Sequence, residues 1–519
     1  MGTTSECRRI LSWIAAAAAL ALLPISVSSA PDPRYVSCGE IDSLFSHWEA
    51  VHPAIFHREV IGHSGVLGLP IWAARISDNA GVHEEEPVIV FNAAQHANEA
   101  NGTNAIIWMM DRLLDRYSKD PVIASYVNAL EIWFVPIVNV DGHTMVFSEA
   151  PDWRLWRKNL RDNDDNAAFT CPEDGVDLNR NWDFRWEEDD STSTSSYYYK
   201  GPGAFSEQEV VALRDLIWRE RPALTMDYHS PFTTGPGNVI YWPWRNSANG
   251  RYGPDSAAYR AISQNLALHT RAEADSLRYN GNTPSRNVLP KQQNWVYANT
   301  GACALLMEIA LTPWWEGKMV DTVAARVGRG SMYLLARAAA GPGLAGKVTD
   351  QETGLPLVAE VRIEEAHDPA VGPRLTDPRS GGFWRLMQLG DFTMTVRADG
   401  YYQVTRPVQV SVGWTHANTE LRRMDPAFAD AMRPSPAQRL WTTQPHRPGE
   451  PIYYRVDRPG PVRLDLLEAS GRRVLTLTEG VRPAGVAAAS IDRRLAPGVY
   501  FLRLDTVGAT TTSKLVTAR

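Results

Sequence analysis

A chain of 519 residues with 44% hydrophobic content is long enough for two or more domains with cores of their own. Its net charge of -7 is spread along the sequence rather than gathered in a block, which argues against nucleic acid or an anionic membrane surface as partner. In chain order, Arg8 and Arg9 precede a small-residue apolar run from Ile10 to Leu23, and Ser28, Ser29 and Ala30 offer a small-x-small cleavage site. This predicts a secretory signal peptide over 1–30, since the run is too short and too Ala-rich for a membrane span. A secreted, periplasmic or cell-surface location follows, with no stable span after signal removal. Cys38, Cys171 and Cys303 remain beyond the cleavage site, an odd number that defines no disulfide framework. Cys303 lies in an apolar run and reads as a buried thiol.

From Val36 to Glu86 the pattern predicts a short helix carrying Leu44 and Phe45, then two strands around Val60 and Ile71. Val88 to Phe91 are apolar without alternation, which suits a strand covered on both faces. From Ala105 to Tyr117, Ile106, Met109, Met110, Leu113 and Tyr117 recur at the spacing of one helix face. Leu130 to Asn139 reads as another buried strand. Ser206 and Glu209 form a capping box for a helix with Val210, Leu213 and Ile217 inward, stopped by Arg221 and Pro222. Ala223 to His229 returns as a strand, Ser256 to Leu277 as a long helix, and Ala302 to Ile309 as the last strand of this region. Such alternation specifies an α/β fold, a mixed sheet flanked by helices.

Around Ala340 the composition changes to short alternating strands, such as Phe392, Met394 and Val396 against Thr393, Thr395 and Arg397. Two small all-β sandwich domains are expected, over 341–424 and 452–519, joined by a Pro-rich linker over 425–451. In the second, Val462, Leu464 and Leu466 alternate before a turn at Ser470 and Gly471.

The chemistry gathers before Ala340. His96 and Glu99 follow the Val88 strand and precede a helix, the junction at which open α/β sheets place ligands. A spacing of three lets an imidazole and a carboxylate converge, and zinc takes nitrogen and oxygen donors of this kind. The pair is weak evidence alone. His416 and Glu420 make a similar pair one residue too long, beside an alternating strand, and read as surface. Further polar residues stand at Arg157, Asn179, Arg180 and His229, and Glu308 interrupts the apolar run CALLMEIA. A carboxylate there is costly unless paired or beside a cation.

Taken in order, HANE, VPIVNVDG, RLWRKN, GVDLNRNWD, YKGPGAFSEQE, DYHS and NWVYANTGACALLMEIA resemble the zinc carboxypeptidases of the carboxypeptidase A type, the M14 metallopeptidases. The resemblance runs from about Tyr35 to Ala340 and implies a catalytic domain over 31–340. It implies one zinc ion held by His96, Glu99 and His229, with water completing the site. Glu308 would be the general base, Arg157 the oxyanion clamp, and Asn179 and Arg180 the anchor for a substrate carboxylate. Tyr279 is the nearest match to the family's mobile, substrate-binding Tyr. The chain departs from the family at Asn98, where many members have Arg. At the specificity pocket it has Gln292, Gln293 and Asn294, an amide floor that argues against a strong preference for terminal Lys or Arg.

GKVTDQETGLPLVAEVRI resembles the carboxypeptidase regulatory-like, transthyretin-like sandwich. SGRRVLTLTEG, LAPGVYFLRL and SKLVTAR resemble a type IX sorting or FlgD-like domain, which implies the secretion machinery as a partner. The implied activity is hydrolysis of the C-terminal peptide bond of peptides or proteins. The alternatives are an N-acyl amino acid amidohydrolase of the aspartoacylase or succinylglutamate desuccinylase type, and a non-catalytic peptide-binding protein on the same scaffold. WRKN, SEQE and the appended sandwiches favour the peptidase over the first, and the presence of both Glu99 and Glu308 speaks against the second.

Overall fold

The computed structural model describes residues 31–148, 153–231, 237–245, 250–271, 278–286, 290–368, 370–424, 439–442, 446, 451–458, 460–482, 485–491 and 494–517. The expected signal peptide and most of the Pro-rich stretch lie outside them. Strands β1 (Phe56–His63), β2 (Pro70–Ile76), β3 (Val88–Ala93), β4 (Glu131–Val135), β5 (Leu224–His229), β6 (Val239–Arg245), β7 (Asn280–Arg286) and β8 (Cys303–Glu308) form one sheet. Its order is β1-β2-β4-β3-β5-β8-β6-β7. The central strands β4, β3, β5 and β8 run parallel, whereas β1 with β2, β2 with β4, and β6 with β8 are antiparallel. The sheet is therefore mixed, as expected.

The helices are α1 (Cys38–Val51), α2 (Asn101–Arg116), α3 (Pro121–Val127), α4 (Val140–Val146), α5 (Gln208–Glu220), α6 (Ser256–His269), α7 (Gln292–Thr300) and α8 (Lys318–Ala340). Every residue of β3, β4 and β5 is buried, the consequence of covering both faces of unalternated apolar strands. Ile106, Met109, Met110 and Leu113 of α2 enter that core, and so do Val210, Leu213 and Ile217 of α5. Cys303 is a free and fully buried thiol. Among the described residues no helix is long and apolar enough to cross a membrane.

Three local expectations need correction. The strand predicted to reach Asn139 stops at Val135, because Pro136 has no N–H for the ladder. Asn139 instead opens α4, its side-chain oxygen accepting from Gly142 N at 2.9 Å. The helix predicted from Ser256 ends at His269, and 272–277 lie outside the described residues. Ser206 does not cap α5, which starts at Gln208 with Glu207 in the cap position. Its hydroxyl accepts from Asn181 Nδ2 at 2.9 Å and donates to Glu207 at 2.6 Å, because this loop is tied to Asn181.

Gly281 shows how closely β7 meets α6. A Cβ at this position would meet the Ser263 carbonyl oxygen and stand 2.8 Å from Gln264 Cα, main-chain atoms that cannot swing away. Gly281→Ala is expected to destabilise the protein by about 1–3 kcal/mol, read as a lower urea midpoint at unchanged slope.

Beyond α8 the chain is all β. Strands β9 (Gly343–Asp350) to β16 (Thr419–Leu421) form two four-stranded sheets. Met394 and Val396 are buried, while His416 and Glu420 are exposed on separate strands, as expected of a surface pair. These strands belong to the same compact unit as the large sheet, which extends to Leu421 without 400–402. Arg374 explains part of that attachment. Its guanidinium donates to the carbonyls of Pro222 at 2.7 Å, Thr300 at 3.4 Å and Arg221, closing the carboxyl ends of α5 and α7.

Residues 400–402 and the chain from Arg422 make a second compact unit. It has a three-stranded and a four-stranded sheet around Tyr454, Leu464, Leu466, Leu502 and Leu515. The alternation of Val462, Leu464 and Leu466 is the inward face of one strand.

Candidate metal centre and active site

The parallel register decides where the polar residues meet. His229 ends β5 and pairs with Glu308 at the end of β8, while Ala93 at the end of β3 pairs with Tyr228. The turn after β3 therefore delivers His96 and Glu99 to the edge that already carries His229 and Glu308. The Ala97 N–H donates to the Arg157 carbonyl at 3.0 Å and fixes this turn against the WRKN segment. That segment is held in turn by Asn159, whose N–H donates to Val176 O at 3.0 Å and whose side chain accepts from Val176 N at 2.7 Å. Gly175, with φ of 81°, leaves no room for a Cβ beside the Asn159 carbonyl.

His96 Nδ1 lies 2.9 Å from Glu99 Oε1 and 2.9 Å from His229 Nδ1, which is itself 2.9 Å from Glu99 Oε2. All three residues are at most 3% exposed. Their outer nitrogens face carboxylates, His96 Nε2 at 3.1 Å from Asp177 and His229 Nε2 at 2.8 Å from Asp227. A carboxylate on Nε2 fixes the proton there and leaves the Nδ1 lone pair pointing inward. Two such nitrogens and one carboxylate aimed at a common point are the donor set that zinc takes. The residues fit the ion.

Burial pushes the Glu99 carboxyl up, but His96 and His229 outweigh burial and hold it well below the usual range. Burial likewise raises Asp177, and Arg157 with His96 overcomes it. Zinc added to chelator-treated protein is expected to stabilise it by about 2.7 kcal/mol at a hundredfold excess over the dissociation constant. The check is urea unfolding with and without the ion, and a His96→Ala protein should lose the response.

Arg157 donates from Nε to Asp177 at 2.9 Å and from Nη1 to Glu99 at 3.4 Å, and its guanidinium lies 5.3 and 5.4 Å from the Tyr197 and Tyr198 rings. Arg180, 5.3 Å from the Tyr198 ring, donates only to the Asn179 carbonyl and pairs with no carboxylate among the described residues. Asn179 is fixed by two contacts, its Oδ1 accepting from Gln292 N at 3.0 Å and its backbone N–H donating to Asp177 at 2.9 Å. Burial and the neighbouring Glu99 push Glu308 up to about 7, against His229, Lys291 and Arg157. The Tyr279 ring sits in the core, and its hydroxyl accepts from Ala310 N at 3.3 Å.

Sequence reasoning overlooked several participants. Gln95 Nε2 donates to Asp227 at 2.6 Å and to Gln292 Oε1 at 2.7 Å, and Asn92 joins both acceptors. Gln292, expected on a pocket floor, is thus engaged in a network behind His229. Tyr197 and Tyr198 carry no motif of their own. Lys291, at the N-cap of α7, feels the charges of Arg180, Glu308 and Arg157 and has only its place before Gln292 to announce it. Asn98 is 1% exposed, and neither atom of its amide has a hydrogen-bond partner among the described residues.

Among curated proteins, this chain is similar to a zinc carboxypeptidase of Saccharothrix mutabilis subsp. capreolus, 33% identical over 135 residues, 26% of this chain and 29% of the relative. It is also similar to carboxypeptidase B of Helicoverpa zea, 31% identical over 207 residues, 39% of this chain and 42% of the relative. The chain thus spans less than half the length of these relatives. Among solved structures, carboxypeptidase A of Helicoverpa armigera is 23% identical with a TM-score of 0.49, covering 65% of this chain and 81% of the other. The family model described as zinc carboxypeptidase, Peptidase M14, matches residues 41–316, more than half of the chain, which therefore belongs to that family.

Proposed function

We propose that the protein is a secreted zinc metallocarboxypeptidase that removes C-terminal residues from peptides or proteins. The observation that carries this reading is the meeting of the His96, Glu99 and His229 donors with Glu308 at one sheet edge, beside two buried guanidiniums. Zinc bound there would acidify a water molecule and polarise the scissile carbonyl. Glu308, raised by burial into the range of a working base, takes the proton from the attacking water and passes it to the leaving amine. Arg157, held in place by Asp177, stabilises the oxyanion that develops. Arg180 receives the substrate's terminal carboxylate, with Asn179 fixed alongside. Tyr279 would have to leave its core position to reach substrate.

The remaining assignments belong to the same reading: a signal peptide over 1–30, a catalytic domain over 31–340, a regulatory-like sandwich over 341–424, a linker over 425–451, and a sorting-like sandwich over 452–519 that engages the secretion machinery.

The test is hydrolysis of N-blocked dipeptides with different C-terminal residues, with and without a zinc chelator. Chelator-sensitive release of single terminal residues is the expected result. No release by zinc-loaded protein, with cleavage of N-acyl amino acids instead, would favour the amidohydrolase. Arg180→Ala is expected to lower kcat/KM for free-ended peptides by about tenfold to a hundredfold. An equal loss on amidated peptides would contradict the anchoring role.

A further inference from the structure

Among the described residues, Lys291 is the one cation at this edge for which the proposed reaction has no use. It occupies the N-cap of α7, the positive end of a helix, where a cation is electrostatically misplaced. The next residue is bound to the active site, since the Gln292 N–H donates to Asn179 Oδ1 at 3.0 Å. This sets Lys291 beside the Asn179 and Arg180 pair. Lys291 is half-buried, and its ammonium makes no hydrogen bond or ion pair, with Glu308 or any other group, among the described residues. Arg180, also without a carboxylate partner, and Arg157 add their charges to the same space. Burial and these guanidiniums, against Glu308 and Asp177, press the Lys291 ammonium down to about 8, so it still carries its charge at neutral pH.

A cation placed on a helix N-terminus and beside two guanidiniums, with the Glu308 and Asp177 charges near but no direct ion pair among the described residues, is unfavourable for folding. Such a placement persists where a ligand relieves it. Arg180 accounts for one carboxylate of a peptide end, which leaves Lys291 for a second. We infer that Lys291 is a specificity-determining residue and that the preferred substrates are peptides ending in glutamate or aspartate, the terminal carboxylate on Arg180 and the side-chain carboxylate on Lys291. This rests on the carboxypeptidase reading and names its substrate class.

The experiment compares kcat/KM of the zinc-loaded full chain on N-blocked dipeptides ending in Glu, Asp, Gln, Leu and Lys. Glu is expected to exceed its neutral isostere Gln by about tenfold or more, the worth of a charge-assisted hydrogen bond. Lys291→Gln should bring the Glu-to-Gln ratio near one, and Lys291→Arg should keep it. Because the ratio is taken within each protein, a general loss of activity cancels. A ratio near one in the unaltered chain overturns the inference, and so does a high ratio that survives Lys291→Gln. If no dipeptide is cleaved, the carboxypeptidase reading fails separately, and thermal protection by free glutamate against free glutamine still decides the role of Lys291. Greater protection by glutamate that disappears in Lys291→Gln supports it, and equal protection overturns it.

Discussion

Glu308→Gln is expected to lower turnover by about a hundredfold to ten-thousandfold, the range that a positioned general base supplies. Zinc content should be unchanged. Three other side chains, His96, Glu99 and His229, make up the donor group, and Glu308 reaches this edge on a different strand. Glutamine has nearly the same volume, so the packing around the end of β8 survives the exchange. The measurements are kcat on a blocked dipeptide, metal content per chain, and the urea midpoint. Near-normal turnover with zinc in place would sink the assignment of Glu308 as base. Loss of zinc together with activity would mean that the carboxylate is a ligand after all.

Asp177→Asn is expected to have the largest effect on stability. One carboxylate accepts from Arg157 Nε at 2.9 Å and from the Asn179 N–H at 2.9 Å, and faces His96 Nε2 at 3.1 Å. The amide keeps the shape and loses the charge. Arg157, only 8% exposed, would then depend on its longer contact of 3.4 Å with Glu99. Breaking a buried pair from one side typically costs about 3–5 kcal/mol. Since Asp177 also orients His96, zinc affinity should fall by about tenfold to a hundredfold. Urea unfolding and a competition titration with a chromophoric chelator check the two effects separately. Wild-type values in both would show that Asp177 is not what holds Arg157 and His96 in place.

The elements that depend on their own neighbours were legible. Val88 to Phe91 form a buried strand because an apolar run without alternation has no face to turn to water. Met394 and Val396 announce an inward sandwich face for the opposite reason. The errors sit at element ends, where one residue decides. Pro136 ends a strand that hydrophobicity alone would have continued, and Asn181 draws Ser206 away from the cap that its spacing predicts.

Within the site, His96 and Glu99 share one turn and could be paired from local spacing. His229 and Glu308 could be added only because the ordered motifs resemble a family whose site uses them. No local rule joins positions 133 residues apart, as His96 and His229 are. The parallel register of β3, β5 and β8 performs that joining, by ending the three strands at one edge of the sheet.

By itself, then, the sequence determined the α/β pattern, the all-β tail and the local pair His96 and Glu99, because hydrophobic period and short-range spacing are properties of neighbouring residues. Only the tertiary structure decided that Asp177 serves both Arg157 and His96, that Gln95 and Gln292 lie behind His229, and that Lys291 stands among the charges of Arg180, Glu308 and Arg157 with no ion pair among the described residues. Those are contacts between chain-distant groups, and the cost of burying their charges is settled by who their neighbours are in space.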